Sequence, residues 1–360
     1  MRGGSVVVAV AVVALAAACD SSAGASGARV PSAKVTVSPS PAGGTPGPTG
    51  PAQITLAFAG DVHFTERTLR LLRDPDSAFG PIATILGRAD IAMVNLESAV
   101  TTRGTPEPKR FHFRAPPTAY QAVKAAGVDV VSLANNHALD YGRVGLTDTL
   151  ASASAAGMPV VGAGRDAAEA YRAWIATVKG VRVAFLGMSQ VAELSGSWAA
   201  RSDRSGIAYA FDGARAAAAV RAARRGADVV VVYLHWGREY NECPTEQMKA
   251  FAKRMADAGA SIVVGTHAHV LLGDGWLGRT FVAYGLSNFL WWYNDAGTND
   301  TGVLEITLQG SAIVKTQFVP AYIDRKTGQP VPVSGTEADR IRQDYANLRR
   351  CTGLSSSPGR

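Results

Sequence analysis

Short continuous apolar runs alternate with Ala-rich amphipathic stretches along most of this chain. Continuous apolar runs bounded by turn residues read as buried strands, and a 3.6-residue apolar period reads as a helix. On that basis Ile54–Ala59, Ile91–Asn95, Asp129–Ala134, Pro159–Val161, Val229–Leu234 and Ile262–Val264 are predicted strands. Thr65–Arg73, Thr118–Ala126, Leu146–Ala156, Ala214–Arg225 and Thr245–Ala258 are predicted helices. Ala173–Val178 and Val181–Gly187 read as an antiparallel pair turned by Lys179-Gly180. Towards the end the style changes, and Arg279–Tyr284, Val303–Leu308 and Ile313–Pro320 read as antiparallel strands. The alternation predicts the α/β class, with two sheets packed face to face and helices outside.

The beginning of the chain has a different pattern. Ser5–Ala18 is an uncharged run of Val, Ala and Leu behind Arg2, too short for a comfortable transmembrane helix but suited to a secretory signal. Leu15-Ala16-Ala17-Ala18-Cys19 resembles a lipobox, which would leave Cys19 as the lipid-bearing residue; the alternative is an ordinary signal peptide with a chance Cys. Residues 19–51 are dominated by Ser, Gly, Ala, Pro, Thr and Val, too poor in large apolar groups to offset chain entropy, and are expected to form a disordered tether. The expected organisation is therefore a signal peptide at 1–18, a tether at 19–51, a folded domain at 52–333 and a C-terminal helix and tail at 334–360. The expected location is extracytoplasmic, anchored to the cell membrane by lipid. In an oxidising compartment Cys243 and Cys351 are expected to form a disulfide, the other possibility being two free thiols. The formal net charge of +7 is scattered, with no nucleic-acid footprint; it suits an anionic envelope or an anionic substrate.

The candidate chemistry lies at strand ends. The chain has six histidines: His63, His112, His137, His235, His267 and His269. All but His112 end or closely follow a predicted strand, where open α/β sheets place their ligands. Gly60-Asp61-Val62-His63 and Gly265-Thr266-His267-Ala268-His269 each put two donors at i and i+2, which face one way in extended chain. Asn95-Leu96-Glu97 supplies a carboxylate suited to bridging two cations. Asn135-Asn136-His137 supplies an amide oxygen and an imidazole. Asp140 has two readings, as the group that orients His137 or as the N-cap of the following helix. In Phe111-His112-Phe113-Arg114, strand alternation would turn Phe111 and Phe113 inward and His112 and Arg114 outward. His112 is then a surface residue. Arg114 is either a contact for an anionic substrate or a solvent-facing edge. Trp291, Trp292 and Tyr293 are expected to wall the cleft or to pack against the tail.

Taken in order, these motifs resemble the calcineurin-like metallophosphoesterase superfamily. Together with His235-Trp236-Gly237, Glu239-Tyr240 and Tyr284-Gly285-Leu286-Ser287-Asn288-Phe289, they resemble the CapA family of capsule or poly-γ-glutamate synthesis proteins over residues 54–320. The resemblance implies a metallophosphatase-like four-layer α/β/β/α sandwich of two mixed sheets. It implies two divalent ions, of Mn, Zn or Fe: Asp61, His63 and His269 would hold one, Asn136, His235 and His267 the other, and Glu97 would bridge them. His137 would serve as proton donor or oxyanion contact, with Asp140 behind it. Arg114, Asn135, Tyr240 and Asn288 are the candidate substrate contacts. Ordinary metallophosphoesterases have an Asp in a Gly-Asp context where this chain has Glu97, one methylene longer. The more usual Tyr-Ser-Leu-Gly-Asn-Phe is here Tyr284-Gly285-Leu286-Ser287-Asn288-Phe289. The implied activity is metal-dependent hydrolysis or transfer within capsule or poly-γ-glutamate metabolism. The alternatives are a non-catalytic assembly factor that binds anionic polymer or a membrane synthase, and an extracytoplasmic metallophosphoesterase acting on a phosphoester.

Overall fold

A computed structural model describes residues 52–294 and 297–359. The segments expected to be a signal peptide and a tether, with Cys19, lie outside the described residues. Within residues 50–360 the chain forms one compact unit.

The apolar runs become strands with both faces covered. We label the site-bearing strands β1 (Gln53–Val62), β2 (Ile91–Leu96), β3 (Val130–Ser132), β4 (Val181–Ser189), β5 (Val229–His235), β6 (Ile262–Thr266) and β7 (Thr280–Leu286). In the first sheet β1, β2 and β3 run parallel, and Asp300–Gln309 pairs antiparallel with β1 and with Ala312–Ile323. In the second, β4, β5, β6 and β7 run parallel in that order, flanked by the antiparallel strands Trp174–Val178 and Leu271–Leu277. Both sheets are mixed.

Strand alternation sorts the apolar side chains into three layers. Ile54, Leu56 and Phe58 of β1 share one buried cluster with Val229, Val231 and Tyr233 of β5, which places them between the sheets. Ala57 and Ala59 face the other way, with Ala119, Ala122 and Val123 of the helix Thr118–Ala125 and Leu146 and Ala153 of the helix Gly142–Ala156. Val230, Val232 and Leu234 face Ala216 and Val220 of the helix Gly213–Gly226 and Phe251 and Met255 of the helix Glu246–Asp257. The result is the α/β/β/α sandwich of two mixed sheets.

Two expectations change. Thr65–Arg73 is a single α turn, Glu66–Leu69, followed by a 3-10 turn, Arg70–Arg73. Arg279–Tyr284 does not pair with the Val303–Leu308 hairpin. Its strand β7 lies in the other sheet, parallel to β6 and antiparallel to Leu271–Leu277, a strand whose Gly273, Asp274 and Gly275 break the apolar pattern. The expected C-terminal helix is Gly335–Asn347, and its Ile341 and Tyr345 are buried in the cluster between the sheets. The Cys243–Cys351 disulfide ties this end to the loop after β5. If the helix completes the core, Ile341→Ala should destabilise the protein by about 2–5 kcal/mol, the range for truncating a buried aliphatic side chain. Denaturant unfolding checks this; a change under about 0.5 kcal/mol, the level of ordinary surface substitutions, would mean the helix only rests on the surface.

Candidate metal centre

The carboxyl ends of the parallel strands in both sheets meet at one place, as expected for ligand sites in α/β sheets. Asp61 is on β1, Glu97 follows β2, Asn136 and His137 follow β3, His235 ends β5, and His267 and His269 follow β6. Close backbone approach makes this convergence feasible. A Cβ on Gly60 would lie 2.0 Å from the Ser287 carbonyl oxygen, which accepts the Asp61 N–H at 3.1 Å. A Cβ on Gly265 would lie 2.1 Å from the Tyr284 carbonyl oxygen. Gly in Gly-Asp and in Gly-x-His-x-His is therefore a packing requirement, not a turn requirement.

Glu97 is the centre of the arrangement. It is completely buried, and neither carboxylate oxygen accepts a hydrogen bond from the described residues. Its nearest imidazoles are His235, with Nε2 at 3.4 Å from Oε1, and His137, with Nε2 at 3.8 Å. Burial, with the charge of Asp61, pushes its pKa up. An unpaired buried carboxylate is costly unless a cation completes it. His235 Nε2 also lies 2.8 Å from Asn136 Oδ1, so an imidazole nitrogen, an amide oxygen and a carboxylate oxygen converge. Burial disfavours the His235 cation, but Glu97 and Asp61 outweigh it and push the pKa up to about 9. Ligand atoms of Glu97, His235 and His267 lie within 4.8 Å of one another, as do those of Glu239, His267 and His269. These mixed N/O donor sets fit a divalent ion.

Asp61 sits alongside, with Oδ1 accepting from the Asn95 amide at 2.8 Å and Oδ2 from the His267 N–H at 3.0 Å. It lies 3.7 Å from His235 Nδ1 and 3.8 Å from His269 Nδ1. His267 and His269 do not share a face through strand geometry as expected. β6 ends at Thr266, and both histidines take left-handed backbone, with φ of 89° and 58°. Non-glycine residues held there store strain, a pattern that clusters at functional sites.

His63 lies outside both donor groups: its Nε2 accepts the Trp292 N–H at 3.1 Å and its ring stacks on Trp291 at 4.1 Å, while its Nδ1 is buried without a hydrogen-bond partner among the described residues. Glu239, exposed on the loop after β5, takes the place beside His269. Its neighbour Tyr240 is also exposed and lines the cleft.

Of the two readings of Asp140, the structure holds the first: Oδ2 lies 2.6 Å from His137 Nδ1, and Tyr141 takes the N-cap position. Burial lifts the Asp140 pKa to about 7 against the lowering pull of Lys109. Burial, with the charges of Lys109 and His235, holds His137 well below its usual value. Phe113 stacks on His137 at 3.8 Å. Phe111 is exposed instead of inward, because the strand here is confined to Arg114–Ala115 and no alternation reaches back to it. The ring of His112 faces the Glu107 carbonyl oxygen at 2.6 Å.

Three expected substrate contacts are reassigned. Arg114 lies over the Tyr141 ring at 3.4 Å and donates to the Arg103 carbonyl, away from the cleft. Asn135 is buried, donating to Asn95 Oδ1 and the Leu96 carbonyl while accepting the His137 N–H. Asn288 is buried with Oδ1 2.8 Å from His269 Nδ1, so it orients that ring. The cleft that opens onto the centre, of about 420 Å³, is walled by Phe113, Trp291, Trp292 and Tyr293. Two further members, Lys109 and Glu193, escape sequence reasoning. Their only signal was charge within Glu107-Pro108-Lys109-Arg110 and directly after β4, the ordinary look of a solvated loop.

Residues 55–293 match the family described as bacterial capsule synthesis protein PGA_cap. The capsule biosynthesis protein CapA of Bacillus anthracis is 30% identical over 309 residues, covering 83% of this chain and 74% of that protein. A Mycobacterium tuberculosis protein named as a "probable polyglutamine synthesis accessory protein" is 39% identical over 283 residues, 74% of each chain. Among solved structures, a Mycoplasma pneumoniae phosphatase aligns with 83% of this chain and 99% of its own, at 13% identity and a TM-score of 0.48. The NAD nucleotidase of Haemophilus influenzae aligns with 85% of this chain and 58% of its own, at 12% identity and a TM-score of 0.46. With a family match that spans the site-bearing strands and relatives of 30% identity or more, this chain belongs to the CapA-type family of bacterial capsule and poly-γ-glutamate synthesis proteins.

Proposed function

We propose that this protein is a metal-dependent hydrolase or transferase acting on an envelope polymer, of the poly-γ-glutamate type or related to it, on the outer side of the cell membrane. The observation that carries this reading is Glu97, a fully buried carboxylate that accepts no hydrogen bond from the described residues and faces imidazoles. Glu97, His235, His267 and the Asn136 oxygen would hold one divalent ion; Glu239, His267 and His269, with Asp61 beside them, would hold a second. A bound divalent cation supplies Lewis-acid stabilisation of the charge that develops in hydrolysis or group transfer. The rest falls to side chains. Asp140 fixes the His137 ring through Nδ1, so Nε2 is the atom left to give a proton to a leaving oxygen or take one. Phe113 and Trp291 keep water from the rings they cover. The accessory role in the name of the mycobacterial relative favours a second reading, a polymer- or synthase-binding assembly factor without turnover.

Metal analysis of the purified protein tests the centre. Bound divalent metal is expected, and Glu97→Gln should lower metal affinity at least about tenfold, in line with losing one charged ligand contact. A protein that takes up no divalent metal would sink the reading. His137→Ala separates enzyme from assembly factor. It should retain metal yet lose roughly 10²–10⁴-fold in turnover of phosphodiesters or γ-glutamyl polymer, the usual contribution of a positioned acid or base. If neither substrate is turned over by the wild-type protein while polymer still binds, the assembly reading replaces catalysis.

We also propose export and lipidation at Cys19, supported by the apolar run that ends at Ala18 and by the Cys243–Cys351 disulfide, a bond of oxidising compartments. Cells fed a labelled fatty acid should label the wild-type protein and not Cys19→Ser. Equal labelling of both would rule out that anchor.

A further inference from the structure

One cation in the cleft faces two carboxylates. The side chain of Lys109 is only 2% exposed, yet Lys109 lines the cleft. Its ammonium lies 3.0 Å from Asp140 Oδ1 and 2.9 Å from Glu193 Oε2, and it donates to the Asn136 carbonyl oxygen. The two carboxylates are not equivalent. Asp140 is buried and held by His137 Nδ1 and the Phe113 N–H, so it cannot leave. The Glu193 side chain is 39% exposed, in the turn between β4 and the short helix Ser195–Trp198. Apart from Lys109, its contact in the site is the Asn136 amide, which donates to Oε2 at 3.2 Å. Solvent therefore reaches the pair from the Glu193 side, where an incoming anion can compete for the ammonium.

The place filled by the Glu193 carboxylate is thus built for an oxyanion. An ammonium and an amide N–H₂ converge on it from the buried side, and His137 and His269 line the same cleft. We propose that this is the anion subsite of the cleft, that it takes a carboxylate or phosphate oxygen of the substrate, and that Glu193 occupies it as an internal stand-in which the substrate displaces. The proposal rests on the cleft being the substrate site of the proposed function. It adds the charge of the group recognised beside His137, and it makes Glu193 a competitor instead of a ligand.

The test is calorimetric titration of inorganic phosphate, and separately of a γ-linked glutamate oligomer, into the metal-loaded full chain at verified metal content. Glu193→Gln removes the competing charge while keeping the shape. It should tighten at least one probe at least about twofold, the least that removing a competing ion pair open to solvent on one side represents. Lys109→Met should weaken the same probe at least about tenfold. Tightening for phosphate alone assigns a phosphoryl group, and tightening for the oligomer alone assigns a carboxylate. Unchanged or weaker binding of both probes by Glu193→Gln at full metal content overturns the proposal and leaves Glu193 a clamp on Asn136, with the metal centre untouched. No binding of either probe by any variant overturns it equally. If Lys109→Met fails to fold, Glu193→Gln alone decides between these outcomes. A chain that loads no metal defeats the proposed function instead. The same titrations on that metal-free chain still decide the exchange, because neither Lys109 nor Glu193 belongs to the donor sets.

Discussion

The structure turns on a buried charge. Glu97 lies where two sheets present their carboxyl ends to each other, with no hydrogen-bond donor among the described residues to complete it. Such a group is tolerated only when cations face it, and the surrounding sequence is arranged to supply them. His235 gains a proton-holding tendency from Glu97 and Asp61, while burial and mutual repulsion hold His267 below its usual range. His235 is thus the ring that answers the charge of the two carboxylates, a role that a divalent ion held by Glu97, His235 and His267 would take over.

Holding that arrangement requires backbone in uncommon states. His267, His269, Tyr240 and Ser287 all take positive φ, and all four lie at or next to the centre. Ser287 lies against Gly60, so the strain on one segment and the missing side chain on another are two halves of one contact. The disulfide secures the loop that carries Glu239 and Tyr240 to the C-terminal segment, whose helix buries Ile341 and Tyr345 in the cluster between the sheets. Rigid elements thus support a site whose members come from loops, as precise placement of donors requires. Around this rigid set lies a softer layer. Asp140 and Lys109 are fixed by burial, whereas Glu193 is half in solvent, and the difference separates what orients the chemistry from what can yield to an incoming group.

The layers and the place of the chemistry follow from the order of residues alone. Continuous apolar strands such as Val229–Leu234 must be covered on both faces, and that demand forces helices outside two packed sheets. Polar residues directly after such strands must collect at the sheets' carboxyl ends, so Asp61, Glu97, Asn136, His137, His235, His267 and His269 were legible as one group. The two cysteines were legible as a pair from the oxidising compartment expected of the chain.

The division of labour within that group comes only with packing. Whether Asp140 caps a helix or holds His137 depends on the angle at which one loop enters, which no spacing encodes. His63 reads like a ligand by its i, i+2 relation to Asp61. The Asn288–Leu290 segment pairs with the end of β1 through a register shift, and the chain that follows gives His63 a backbone partner at Trp292. Arg114, Asn135 and Asn288 looked like substrate contacts because polar residues near a site resemble one another in sequence. Burial and partners alone separate a scaffold amide from a binding one. Lys109 and Glu193 were invisible for the converse reason. A lysine in a charged loop is solvated by default, and only the packing of Trp198, Asn136 and Asp140 around it turns that lysine into a buried cation.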